Sequence, residues 1–148
     1  MRRVFVSLLL LSLTATAFRP GGNPEELSWQ RLRDVKFRKK WYPLEELVLL
    51  YPHFGPSVKA LQGKSVAITG YLIPINLESN TYVLSAFPNS QCFFCGGAGP
   101  ESVILLKPAK PFRRFNTDER RRFSGTFRLN ADNIYELNYI LDGATLTD

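Results

Sequence analysis

A chain of 148 residues, 45% hydrophobic and 22% charged, is long enough for one domain with a core of its own. Its formal net charge of +6 is a mild basic excess, which favours solubility and does not by itself imply a nucleic-acid partner. Past the first residues, no apolar run approaches the roughly 20 residues that a membrane-spanning helix needs.

The N-terminus reads as a secretory signal peptide over residues 1–17. Arg2 and Arg3 supply the positive start, Val4 to Leu13 the apolar stretch, and Ala15-Thr16-Ala17 the small-x-small cleavage site. Cleavage there removes two arginines and takes the formal charge from +6 to +4. The expected destination is the periplasm or the exterior, an oxidising compartment. Residues 18–27, rich in Pro and Gly, read as a flexible leader, and residues 28–148 as one domain.

Ser28 is placed to cap a short helix whose apolar face carries Trp29 and Leu32. Val35 to Arg38 alternates as a strand does, and Lys36, Arg38, Lys39 and Lys40 form a basic cluster best read as a solvated face. Pro43, followed by Glu45 and Glu46, resembles a helix start, with Leu44, Leu47, Val48 and Tyr51 on its apolar side. Ser57 is placed to cap another short helix through Leu61, ended by Gly63.

Strands follow. Lys64 to Ile75 alternates strongly, with Val66, Ile68, Gly70 and Leu72 on one side. Thr81–Phe87 and Ser102–Leu106 are the next two, Arg122–Asn130 repeats the pattern with Phe123, Gly125, Phe127 and Leu129, and Tyr135–Leu141 is the last before a tail. Gly70 and Gly125 sit mid-strand, where glycine weakens a flat sheet but permits the bend or close approach of a closed barrel. No strand alternates with a long helix, which argues against a parallel sheet. The predicted fold is mainly β, a small five-stranded barrel of the OB type with short N-terminal helices.

Between the second and third strands lies a connection of fourteen residues, Pro88 to Glu101, against about 2–5 for ordinary hairpin loops. It holds both cysteines of the chain, Cys92 and Cys95, followed by Gly96, Gly97, Gly99 and Pro100. A long loop in a small domain usually carries function or needs a staple. Other catalytic arrangements are missing from the sequence. One histidine supports no Ser-His-acid triad, and the glycine cluster leads into a strand rather than opening a phosphate-binding helix. Arg113, Arg114 and Arg120 to Arg122 are basic enough for a nucleic-acid groove, but export argues against that partner.

Several stretches carry a family likeness: Trp29-x-x-Leu32, Val35-x-Phe37, Leu61-x-Gly63-Lys64-x-Val66-x-Ile68-x-Gly70-Tyr71-x-Ile73-Pro74, and the cysteine loop ending Pro100-Glu101-Ser102-Val103. The sequence resembles, from about Trp29 to Leu141, a family of secreted bacterial OB-like domains of unknown function. Some members are encoded beside metal-uptake transporters. Members often pair a Cys with a His in this loop, where the present chain has Cys92 and Cys95. The resemblance implies an OB-like barrel and a link to metal handling, with a transporter component as a partner.

Three readings of the cysteine pair stand open. A Cys92–Cys95 disulfide would close so short a ring that it gains only about 2 kcal/mol from chain entropy. A thiol–disulfide redox site or sensor has the right spacing, but the glycines oppose the helix that lowers the pKa of the first thiol in such enzymes. A metal knuckle fits two thiols two residues apart, with Gly96 and Gly97 free to take positive φ. A closed zinc site needs four ligands, and Cys92, Cys95, His53 and Glu101 are the candidates here, short of a second chain. The function read from the sequence is an exported, non-catalytic binding or accessory module whose loop binds a transition metal, zinc first.

Overall fold

The computed structural model describes residues 23–147. The segment read as a signal peptide, the first part of the expected leader and Asp148 lie outside the described residues. From Glu25 onward the chain is tied down. Glu25–Glu26 (β1) pairs in parallel with the first half of the longest strand, and Leu27, only 3% exposed, donates its N–H to Ala67 O at 2.8 Å.

Helix α1 (Trp29–Leu32) starts as expected, with Ser28 Oγ accepting from the Arg31 N–H at 3.3 Å. Strands β2 (Val35–Tyr42) and β3 (Leu47–Phe54) then form an antiparallel hairpin, a separate two-stranded sheet. The helix expected after Pro43 is therefore replaced by a turn and a strand. Pro also suits the start of a tight turn, and Glu46 adopts φ +53° to complete it. The unbroken run Leu47 to Tyr51 satisfies helical spacing and strand alternation alike, and pairing with β2 decides between them. Toward the barrel the hairpin lays Phe54 against Tyr139, ring centroids 5.7 Å apart. At its far end Trp41, Leu44, Leu47, Val48 and Leu50 are exposed.

Helix α2 spans Pro56–Lys59. Gly55, not Ser57, is its N-cap, and the capping oxygen comes from a distant residue. Asp34 Oδ2 accepts from the Ser57 N–H at 3.0 Å and the Ser57 Oγ–H at 2.6 Å. Gly63 ends the segment at φ +74°, as expected.

The remaining strands are β4 (Ser65–Asn76), β5 (Thr81–Ser85), β6 (Val103–Pro108), β7 (Arg120–Leu129) and β8 (Tyr139–Leu146). They close into the five-stranded barrel expected from the glycine-bent strands, in the order β4-β5-β6-β8-β7 and back to β4. Most neighbours are antiparallel, whereas β6 and β8 run parallel. Strand β4 closes the ring because it serves two ladders. Residues 65–71 pair with β7 and residues 71–76 with β5, so Tyr71 faces Arg120 on one side and Ser85 on the other.

Gly70 lies beside that change of partner and is buried. Gly125 lies where the β7–β8 register slips, between Ser124 and Thr126. Inside the barrel Val66, Ile68, Leu72, Tyr82, Leu84, Ile104, Leu106, Phe123, Phe127 and Leu141 form one apolar cluster that also takes in Leu32, Val58 and Leu61 from the helical segments.

The last strand begins four residues later than expected and extends into the anticipated tail, to Leu146. Asn130 explains the delay. Its side chain, in a residue 8% exposed, donates to the carbonyls of Asn133 (2.7 Å) and Glu136 (3.1 Å) and accepts from the Asn133 N–H at 3.0 Å. Residues 131–138 are thereby held as a turn and cannot join the ladder.

Candidate functional site

The cysteine loop leaves β5 at Ser85 and enters β6 at Val103. Its base is pinned by the Ala86 N–H to Ser102 O bond at 2.9 Å, and its start is tied to the neighbouring connection by the Asn89 N–H to Asp118 Oδ1 at 2.7 Å. Pro88 and the small polar residues after it favour a tight turn, and the chain makes three single 3-10 turns, Asn89–Gln91, Phe93–Cys95 and Pro100–Ser102. Short turns of this kind satisfy their own backbone groups where no ladder is available.

The Cys92 carbonyl is the hub. It accepts from the Cys95 N–H at 3.2 Å and from the Gly97 N–H at 3.1 Å. Both expected structural glycines have a physical reason. Gly96 turns the chain at φ +75°, and a Cβ on Gly97 would stand 2.6 Å from Gln91 O. Pro100 opens the final turn, where Ser102 donates both N–H (3.0 Å) and Oγ–H (2.7 Å) to Gly99 O.

These turns hold the two sulfurs at one place in unlike surroundings. Cys92 is fully buried, with its thiol directed at Asn89 Oδ1 at 3.7 Å, and Cys95 is exposed. Both are free thiols. Desolvation at the loop surface, together with the Cys92 thiol beside it, pushes the Cys95 thiol above its ordinary range. A raised pKa is the opposite of what an attacking thiol needs at neutral pH.

The other two candidate ligands are placed elsewhere. His53 is exposed on β3, across from Lys36 and edge-on to Tyr51 at 5.4 Å between centroids. Glu101 is half-buried at the loop's exit, its carboxylate folded back onto Gly99, where a Cβ would stand 2.2 Å from the Glu101 Oε2. Among the described residues no three His, Cys, Asp or Glu side chains group so as to hold a metal ion. A tetrahedral zinc site needs four ligands, and among the described residues no third donor groups with the two thiols.

The glycine side of the loop faces α1 across a cavity of about 340 Å³. Its lining includes Trp29, Arg33, Phe87 and Glu101 and the stretch from Gly97 to Gly99. Trp29 is fixed by its Nε1–H, which donates to Thr69 O at 2.8 Å. The sequence reading assigned Trp29 to the face of a short helix and passed over Arg33. The two lie about 70 positions from the loop they face, and no local pattern encodes that approach. Below them the Tyr139 hydroxyl donates to Leu32 O at 2.8 Å. Burial, with the negative charges of Glu101 and Asp34 nearby, raises the Tyr139 pKa well above that of an ordinary phenol.

No protein-family model matches the sequence, and no characterised protein matches it. Among solved structures it is similar to the crystal structure of a DUF3299 family protein from Pseudomonas aeruginosa PAO1, with a TM-score of 0.54 and 17% sequence identity. The likeness covers 86% of this chain and 98% of that one. At this identity the comparison establishes a shared fold.

Proposed function

We propose that the protein is an exported, non-catalytic binding module whose Cys92–Cys95 loop is its working surface, and that the thiol pair contributes two ligands to a transition-metal site, zinc first. The observation that carries this reading is the adjacency of the two sulfurs, held by the turn around the Cys92 carbonyl. Two thiolates suit a soft or borderline metal, and binding releases their protons, so affinity rises with pH. The missing ligands come from a partner, either a second copy of the chain or a component of a transporter. The exposed Cys95 lets such a partner reach the site.

Metal analysis of protein purified without oxygen, alongside a Cys92→Ser/Cys95→Ser variant, tests the proposal. The expected result is bound zinc and a higher melting temperature on adding zinc, both lost in the variant. A stoichiometry of one metal per two chains would identify a second copy as the partner. No bound metal and no thermal gain would end this reading.

The same sulfur adjacency favours a second reading, a thiol–disulfide redox protein or sensor. Oxidation then joins Cys92 and Cys95 with loss of two electrons and two protons to an external disulfide, which is reduced to two thiols. A reduction potential below about −300 mV, typical of structural bridges, would remove this alternative.

A further inference from the structure

The cavity between α1 and the glycine half of the cysteine loop holds two charges of opposite sign that do not meet. Arg33, at the end of α1, has one side-chain contact, its Nη1–H to Gln30 Oε1 at 3.4 Å. Glu101 lies across the cavity. Neither has an ion-pair partner among the described residues. Elsewhere the protein pairs such groups readily, as in the bidentate Arg128–Asp142 contact at 2.5 and 3.2 Å.

Glu101 lines the cavity as a half-buried carboxylate with no cation paired to it among the described residues. Beside it stand two aromatic rings, Trp29 and Phe87, the latter 44% exposed at the rim. Aromatic faces next to a carboxylate recognise an ammonium group, including a quaternary one. The planar Arg33 guanidinium opposite recognises a carboxylate. The volume of about 340 Å³ lies within the ~300–1,000 Å³ typical of small-molecule pockets.

We infer that this cavity is a binding site for a small zwitterion of the amino-acid or betaine class, its ammonium against Trp29, Phe87 and Glu101 and its carboxylate against Arg33. The site uses neither sulfur and so stands apart from the metal reading of the same loop.

The test uses Trp29 as its own reporter. The chain has two tryptophans, and Trp41 is exposed on the hairpin, so Trp41→Phe leaves Trp29 as the sole indole. Glycine betaine and L-proline are titrated, with choline and acetate as single-charge controls. The expected result is a saturable change in Trp29 emission with at least one zwitterion, and at least tenfold weaker binding of both controls.

Glu101→Gln and Arg33→Met should each weaken binding tenfold or more, while Cys95→Ser, at an exposed position outside the lining, leaves it unchanged. Arg33 is exposed, so its replacement should leave the fold intact. No saturable signal with either zwitterion up to about 10 mM, where affinity carries little specificity, would overturn the inference. So would choline binding equal to that of the zwitterions, or a loss below tenfold in either charge variant. The Cys95→Ser variant separates the two ideas, because it breaks the thiol pair that the metal reading needs and spares this site.

Discussion

Trp29 and Gly70 are packed as a matched pair. The indole Cζ2 lies 2.9 Å from the point where a Cβ on Gly70 would stand, and the indole N–H donates to the carbonyl of the residue before it, Thr69. Ser85 O and Leu84 Cγ close the same space at 2.6 and 2.8 Å. Gly70 is therefore required by space, and the obstruction includes backbone that cannot swing away.

Gly70→Val should cost about 1–3 kcal/mol through overpacking, with a melting temperature several degrees below the parent's. Because Trp29 must move, its fluorescence should shift as well. A Gly70→Val protein that melts at or above the parent would contradict the close approach and favour an open sheet.

The two cysteines should respond differently to serine. Cys92→Ser places a more polar group in a fully buried position and should destabilise by about 1–3 kcal/mol, reduced by whatever bond the hydroxyl makes to Asn89. Cys95→Ser, on an exposed residue, should stay within about 0.5 kcal/mol. Equal losses in thermal melts would mean that the thiols share one environment.

Alkylation by iodoacetamide should single out Cys95, with Cys92 protected until unfolding. Only the thiolate reacts, and the Cys95 pKa is raised, so the rate should keep climbing above pH ~8.5, the ordinary cysteine midpoint. A rate already at its plateau at neutral pH would show a lowered pKa and favour the redox reading over the metal one.

Asp34 links α1 to the cap of α2, and its carboxylate is held below the ordinary range by the Ser57 hydroxyl first and the Ser57 N–H second. A lowered folded-state pKa means stability that is present above the unfolded value, ~3.9, and is lost as pH falls through the folded value. Asp34→Asn should remove that part of the acid sensitivity. The gap between parent and variant melting temperatures should be largest at neutral pH and close below pH ~4. A constant gap across that range would assign the effect to shape instead of charge.

Asn130 organises the turn before β8 with donors and an acceptor aimed at three backbone groups. Asn130→Ala strands those groups in a site that is 8% exposed and should cost about 1–3 kcal/mol. Hydrogen exchange should show protection lost over residues 131–138 and little change in β4. Loss spread evenly through the barrel would rule out this local role.

Alternation of apolar residues marked two barrel strands, Lys64–Ile75 and Arg122–Asn130, from the sequence alone, because burial on one face leaves a period of two that needs no partner to be read; β5 and β6 were legible as short apolar runs bounded by turns. Glycine in the middle of Val66–Leu72 and Phe123–Phe127 determined closure, since only a bent or closely approached strand gains by giving up a side chain there. Gly96 was legible because it takes the left-handed φ expected of it, whereas Gly97 does not and is required instead by its close approach to Gln91 O.

Where two local readings were equally good, tertiary pairing decided. Leu47 to Tyr51 became a strand because β2 offered an edge, and Tyr135 to Asn138 stayed out of β8 because Asn130 captured its carbonyls. The composition of the candidate sites was decided the same way. Cys92 and Cys95 come together through local turns and were visible in advance. His53 and Glu101 are kept apart from any such group, and Trp29 and Arg33 face Glu101 only because the barrel folds α1 back over the loop. Contacts across such separations depend on how the whole chain closes, and no single stretch of sequence carries that information.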